Sequence, residues 1–381
     1  MSGIQAALVR QFSLAEARSL RRNFGLDIVR AIAILLVLSC HSLNFVPPPH
    51  SKLYYYGGGF LGVELFFVLS GYLIGSILLK IVLEKNGGKS LAKRIGEFWI
   101  RRWFRTLPNY YLFLLVNFFI LSAGFSKLGL ISEYFYFGQN LISPIGVFMN
   151  ESWSLAVEEW FYLSFPVALG LLVLILGRSR RTFIVGTLMY ILVFSWLRSS
   201  TIQAGIYGHW DQEIRKIVVL RLDAIAYGAL IMALMSARPV LLQRLSKALF
   251  VVGIAGVGLV LYRLDQVFTN ELPATLPGSF FSLTNVSLAL LLPFSVYQTR
   301  SSGRSRLRTC IAWISILSYS MYLLHLNMIR LVQAFFSQRY WLTQFILYWV
   351  LCFSLSYLVY VLYERRMTAL REKLARSHPE T

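Results

Sequence analysis

The stretch Leu26–Val46, LDIVRAIAILLVLSCHSLNFV, decides the fold class. At about 1.5 Å per residue it is long enough to cross a hydrocarbon core of about 30 Å. It nonetheless carries Arg30 and His41. Eleven positions separate them, which on a helix is about 16.5 Å of rise and about 20° beyond three full turns. The two side chains therefore share one face, about half a bilayer apart in depth. An ionisable residue within a span is costly and marks function by default. Two on one face outline a polar path through the protein.

The rest of the chain follows the same pattern. Of its 381 residues 57% are hydrophobic and only 14% charged, where a soluble domain would have about 25% charged. Apolar runs of about 17–25 residues recur from end to end, which predicts an all-α polytopic integral membrane protein. Ten spans are expected, near 26–46, 60–82, 107–123, 155–176, 182–199, 217–235, 248–261, 280–297, 311–332 and 341–363. The first is too long for a signal peptide, contains Arg30 and lacks a small-residue cleavage site, so it is read as a retained span. Residues 134–142 are too short to cross and read as interfacial. Residues 1–25 are then a cytoplasmic N-terminal segment, 26–363 the membrane domain and 364–381 a basic cytoplasmic tail.

The net charge of +20 could indicate nucleic acid, but its placement argues otherwise. Of the 37 Lys and Arg, 26 fall in the N-terminal segment, the tail and alternate loops, and 6 in the intervening loops. By the positive-inside rule, both termini are expected in the cytoplasm. Five more basic residues lie within spans: Arg30, Lys80, Arg198, Arg221 and Arg330. Lys80 is near enough to an end to snorkel. The three cysteines and five histidines have no disulfide or metal-ligand spacing, so no metal site is expected.

Several motifs carry chemistry. His41, at the outer end of its span, has the ordinary pKa range for taking a proton from a hydroxyl; packing against a neighbouring helix is the plain alternative. Arg102 and Arg105, in RRWFRTLP at the expected cytoplasmic mouth of the third span, share a helix face. They suit a phosphate or diphosphate, or simply lipid headgroups and topology. In ESWSLAVEEWFY, residues 151–162, Trp153 and Trp160 read as interface anchors, whereas Glu158 needs a partner. Glu158 is expected at the depth of His41 and could orient its imidazole. Glu64 lies at the outer end of the second span, while Ser70 and Gly71 read as close-packing residues. Arg221 and Asp223 are close enough to neutralise each other. Tyr322 and His325 share a face at mid-membrane, where pore lining and structural hydrogen bonding are both open. Glu64, Ser70, Trp153, Arg221, Asp223, Tyr322 and His325 form the set of pore-lining candidates.

These motifs, in this order, resemble the membrane-bound acyltransferase-3 family, which includes bacterial O-antigen, Nod-factor and exopolysaccharide O-acetylases. The resemblance covers about residues 24–365. Its Arg-x10-His element matches Arg30 to His41. The GV(D/E)LFFVLSG element falls at 62–71, Arg-x-x-Arg at Arg102 and Arg105, WSLxVE at 153–158, and SYxxYLxH at Ser318 to His325. The resemblance implies transfer of an acyl group, commonly acetyl from acetyl-CoA, to a hydroxyl of a surface or secreted carbohydrate or lipid-linked saccharide. In such an enzyme Arg102 and Arg105 would hold the donor's phosphates and Arg30 would contact it deeper. Glu158 would orient His41, which would serve as general base or acyl carrier. The setting would be the bacterial plasma (inner) membrane, with acyl-CoA as donor substrate and no bound cofactor. The family often ends in an acid followed closely by proline; Glu364-Arg365-Arg366-Met367 lacks the proline, so Glu364 receives no role. Some members add an extracytoplasmic hydrolase-like domain; with no such segment here, the membrane domain is expected to complete transfer alone. A glycolipid or polysaccharide transporter or flippase is the competing class, and a structural export subunit a third. A transporter would use the charged residues as a translocation path with less need of the arginine pair, whereas an export subunit would tolerate substitution of His41 and Arg30.

Overall fold

The computed structural model describes residues 23–47, 52–84, 90–121, 128–146, 148–205, 210–269, 278–298 and 305–367. The expected cytoplasmic segment 1–25 and tail 364–381 lie outside these residues except for 23–25 and 364–367. The described residues are helical with no strand. The elements are α1 (Phe24–Ser42), α2 (Lys52–Leu83), α3 (Leu91–Leu121), α4 (Leu128–Phe135), α5 (Trp153–Leu176) and α6 (Arg180–Gln203). They continue with α7 (Asp223–Ala237), α8 (Pro239–Thr269), α9 (Ser279–Ala289), α10 (Leu292–Gln298), α11 (Arg306–Phe335) and α12 (Trp341–Val359). Eight helical stretches among the described residues are long and apolar enough to cross a membrane: α1, α2, α5, α6, α8, α9 with α10, α11 and α12 with the turn after it. The protein is an integral membrane protein.

α1 begins where local chemistry allows. The Asn23 side chain accepts from the backbone N–H of Gly25 at 3.0 Å and of Leu26 at 3.4 Å, capping the helix. Asp27 then sits in the first turn, where the positive end of the helix dipole favours it.

Three expected spans differ from the sequence reading. The charged segment before the third span is not a loop: residues 91–121 form one helix that runs through Pro108. Arg102 is therefore carried into the bundle instead of standing at its mouth. The sixth span starts at Asp223, not Ile217. The backbone N–H groups of Val218 and Val219 donate to the carbonyls of Asn140 and Leu141, at 2.9 and 3.3 Å. Bonds spent on another segment cannot continue a helix. The eighth span is broken between α9 and α10, just before Pro293, whose ring has no N–H to offer the turn above.

The segment read as interfacial is partly buried in protein: Tyr134, Phe137, Gln139 and Asn140 are buried, while Phe135, Tyr136 and Ile142 are exposed. The Tyr110 hydroxyl donates to the Tyr134 carbonyl at 2.8 Å, and Tyr111 to Phe135 at 2.8 Å, so α4 folds back along α3. Beyond it, the Asn140 amide donates to the carbonyls of Trp153 at 3.1 Å and Lys216 at 2.6 Å. Irregular backbone inside a membrane protein is tolerated where protein groups satisfy it in this way. As a result α5 begins beside the middle of α3.

Contacts between distant helices fix relative direction. Arg30 meets Ser315 and His41 meets His325, so α1 and α11 run parallel. α2 and α7 also pack in parallel and at close range. A Cβ on Gly71 would overlap the Ile225 carbonyl, and one on Gly228 would overlap the Val68 carbonyl. The close-packing role expected of Gly71 therefore holds. Gly71→Ala or Gly228→Ala forces two backbones apart and is expected to cost about 1–3 kcal/mol or more. Unfolding of the purified variants in detergent checks this, and an unchanged midpoint would refute the close approach.

Candidate active site

A cavity of about 480 Å³ opens within the bundle, lined from five helices and the turn after α12. α1 supplies Arg30; α2 supplies Phe66 and Ser70; α3 supplies Arg102, Arg105 and Thr106. α5 contributes Ser154 and Glu158, α11 contributes Ser315, Tyr319 and Tyr322, and Glu364 closes one side. Its volume lies within the range of small-molecule sites, about 300–1,000 Å³.

The α3–α5 seam builds the most connected polar group. One Nη of Arg102 donates to Glu158 Oε2 at 3.1 Å and to the Tyr162 hydroxyl at 2.7 Å. The Tyr162 hydroxyl gives its own proton to Glu158 Oε2 at 2.7 Å. It must then accept from Ser70, which bonds it from α2. The Arg102 guanidinium also lies over the Tyr162 ring, 4.2 Å from its centre. Tyr162 is one turn past Glu158, so a single helix face supplies both partners. Arg105 lines the same cavity but is exposed, at the rim. The shared face expected of Arg102 and Arg105 is present; the expected position at a cytoplasmic loop is not.

Glu158 does not stand beside His41, contrary to the expectation from depth. Its carboxylate is held by Arg102 and Tyr162, because α3 threads into the bundle and reaches it first. His41 instead packs against His325, with ring centres 4.9 Å apart. His325 Nδ1 lies 2.5 Å from the Tyr322 carbonyl. A carbonyl only accepts, so Nδ1 carries the proton. Tyr322 is next in line, 5.6 Å from His325 between ring centres. Its hydroxyl donates to the Glu151 carbonyl at 3.0 Å and receives from Ser154 at 2.6 Å. Tyr322 thus lines the cavity on one side and touches His325 on the other. Arg30, at the opposite end of α1's polar face, donates to Ser315 at 3.4 Å, and Ser315 donates to Asp27 at 2.7 Å.

Of the seven pore-lining candidates, Ser70 and Tyr322 line the cavity, while Glu64, Trp153, Arg221, Asp223 and His325 do not. The mutual neutralisation of Arg221 and Asp223 is also corrected. Arg221 bonds Glu64 at 2.5 Å and Asp223 bonds Arg198 at 2.6 Å, with all four side chains fully buried. Arg221 lies before the first turn of α7, so it projects toward α2 while Asp223 projects toward α6. Trp153 is buried rather than interfacial, with the Arg215 guanidinium 4.8 Å from its ring.

Sequence reasoning missed three groups. Tyr162 read as one more aromatic of α5. Glu364 was set aside, yet it lines the cavity and accepts from Asn109 at 3.1 Å and Ser320 at 3.0 Å. Asp211, Arg215 and Lys216 looked like an ordinary polar loop. Burial works against ionising Asp211, but Arg215 and Lys216 outweigh it and hold its carboxyl below the usual range. The closely spaced D-x-x-x-R-K pattern was the available signal.

Comparison with known proteins agrees with this architecture. The chain is 35% identical over 167 residues to the peptidoglycan O-acetyltransferase OatA of Listeria monocytogenes, a match covering 38% of this chain and 24% of that protein. It is 37% identical over 162 residues to YrhL of Bacillus subtilis, provisionally named a peptidoglycan O-acetyltransferase, covering 38% and 23%. The matched part is thus about a quarter of these relatives' length. No solved structure matches. A family described as an acyltransferase domain matches residues 23–365, nearly the whole membrane bundle and every cavity residue named above; the chain belongs to this acyltransferase-3 family.

Proposed function

We propose that the protein is an integral-membrane O-acetyltransferase of the bacterial plasma (inner) membrane, with both termini cytoplasmic. It moves an acyl group, acetyl, from acyl-CoA to a hydroxyl of a surface or secreted carbohydrate or lipid-linked saccharide. One observation carries the reading: a cavity holding three guanidinium groups ends at Tyr322, one ring away from the paired histidines His325 and His41. Arginine is the residue best suited to phosphates. Arg105 at the rim and Arg102 inside would hold the phosphates of CoA, and Arg30 would meet the donor further in. His41 takes the acceptor's hydroxyl proton as the oxygen attacks the thioester carbonyl. The C–S bond then breaks, and the proton passes to the leaving thiolate. Glu158 and Tyr162 serve this scheme by holding Arg102. The names of the relatives support O-acetyl transfer.

The test is purified protein in nanodiscs with acetyl-CoA and a panel of glycans, following free thiol and acetylated sugar. Acceptor-dependent thiol release with matching acetylated product is expected; glycan movement without acetylation would overturn the reading in favour of transport. Within this assay, Arg102→Lys loses the planar fork and its charged hydrogen bonds. It is expected to raise KM for acetyl-CoA about tenfold to a hundredfold. An unchanged KM would remove Arg102 from the donor site.

A further inference from the structure

A second charged cluster lies outside the donor cavity, on the far side of His41. It consists of Lys216, Arg215 and Asp211, between α6 and α7; Arg215 lies against Phe60 of α2, and the adjacent Gly59 packs on Cys40, the neighbour of His41. None of them lines the cavity. Asp211 is shared by two cations: Oδ1 is 2.7 Å from Arg215 Nη1 and Oδ2 is 2.9 Å from Lys216 Nζ. Glu64 approaches Arg215 only at 4.0 Å, being committed to Arg221 at 2.5 Å. Arg198 and Asp223 neutralise each other. Among the described residues the two cations Arg215 and Lys216 thus share one close carboxylate, Asp211.

Both cations are buried. Arg215 is 8% exposed and Lys216 7%, and Arg215 Nε is buried without a hydrogen-bond partner. The Arg215 guanidinium is fixed between the rings of Trp153 and Phe60, 4.8 and 5.1 Å from their centres. A buried cation with an unfilled donor is costly unless something anionic completes it. The Asp211 side chain retains 16% exposure, so the cluster has an open edge.

Building on the reading of His41 as the base of acetyl transfer, we propose that Arg215 and Lys216 form an acceptor subsite for an anionic saccharide. They would seat its carboxylate or phosphate and so present a neighbouring hydroxyl to His41. The subsite sets which acceptors are used, whereas the donor cavity sets only the acyl source.

The test compares three probes with acetyl-CoA on the full chain in nanodiscs: p-nitrophenyl glucuronide, p-nitrophenyl glucoside and glucose 1-phosphate. Acetylated product is read by mass spectrometry. An anionic probe is expected to be acetylated at least about tenfold faster than the neutral glucoside, the scale of one charged hydrogen bond. Faster glucuronide points to a carboxylate, faster sugar phosphate to a phosphate. Lys216→Gln, which leaves Arg215 balanced by Asp211, is expected to erase that preference. Equal rates in the wild type, or a preference that survives Lys216→Gln, would overturn the proposal. Binding is read separately by thermal shift with glucuronate or glucose 1-phosphate against glucose. A shift by either anion but not by glucose, lost in Lys216→Gln, supports the subsite even if no probe is acetylated, and the failure would then fall on the acyl-transfer reading. No shift by either glucuronate or glucose 1-phosphate would count against the subsite itself.

Discussion

His41→Ala is expected to lower acetyl transfer by about 10²–10⁴-fold, the usual worth of a positioned general base. The substitution removes the imidazole that packs on His325, which in turn meets Tyr322 at the donor cavity. A hydroxyl is a poor nucleophile while it keeps its proton, so the loss should appear in kcat rather than in KM for acetyl-CoA. His41 is half-buried and makes a ring contact rather than a hydrogen bond. Truncation therefore strands no bonded partner, and the variant should purify with the wild-type elution profile. Free thiol and acetylated sugar, measured on such material, decide the matter. Wild-type turnover by His41→Ala would sink the assignment outright.

The largest stability effect is expected at Glu64. Glu64→Ala leaves the Arg221 guanidinium fully buried with its carboxylate gone, and two of its nitrogens, Nε and Nη1, already lack hydrogen bonds. Breaking a buried ion pair from one side costs about 3–5 kcal/mol, because the stranded charge keeps its desolvation penalty. The double variant Glu64→Leu with Arg221→Leu removes both charges and is expected to recover much of that loss. A double-mutant cycle in detergent unfolding measures the coupling. If Glu64→Ala cost less than about 1 kcal/mol, the pair would be no stronger than a surface salt bridge.

Burial of these pairs also explains why much of the site was hidden in the sequence. Arg221 and Asp223 are two positions apart and invite pairing with each other. The chosen partners are Glu64 and Arg198, 157 and 25 positions away. Glu158 and His41 seemed matched in depth because both lay near outer ends of expected spans. That inference assumed a loop ending at residue 106, and a helix through Pro108 brought Arg102 to Glu158 instead. Glu364 depended on a neighbour it lacks for its motif, yet its place in the cavity depends only on the course of α12.

By itself the sequence determined the helical membrane class, most of the spans, the family, and the placing of Arg30 and His41 on one face of α1. Each of these follows from short-range quantities: the summed apolarity of some twenty residues, or the rotation per residue of a helix. Tertiary structure alone decided which charges pair, which candidates line the cavity, and that His41 keeps company with His325 rather than Glu158. Those outcomes depend on which helices touch and on how irregular segments such as 136–146 spend their backbone bonds, and hydropathy along the chain contains neither.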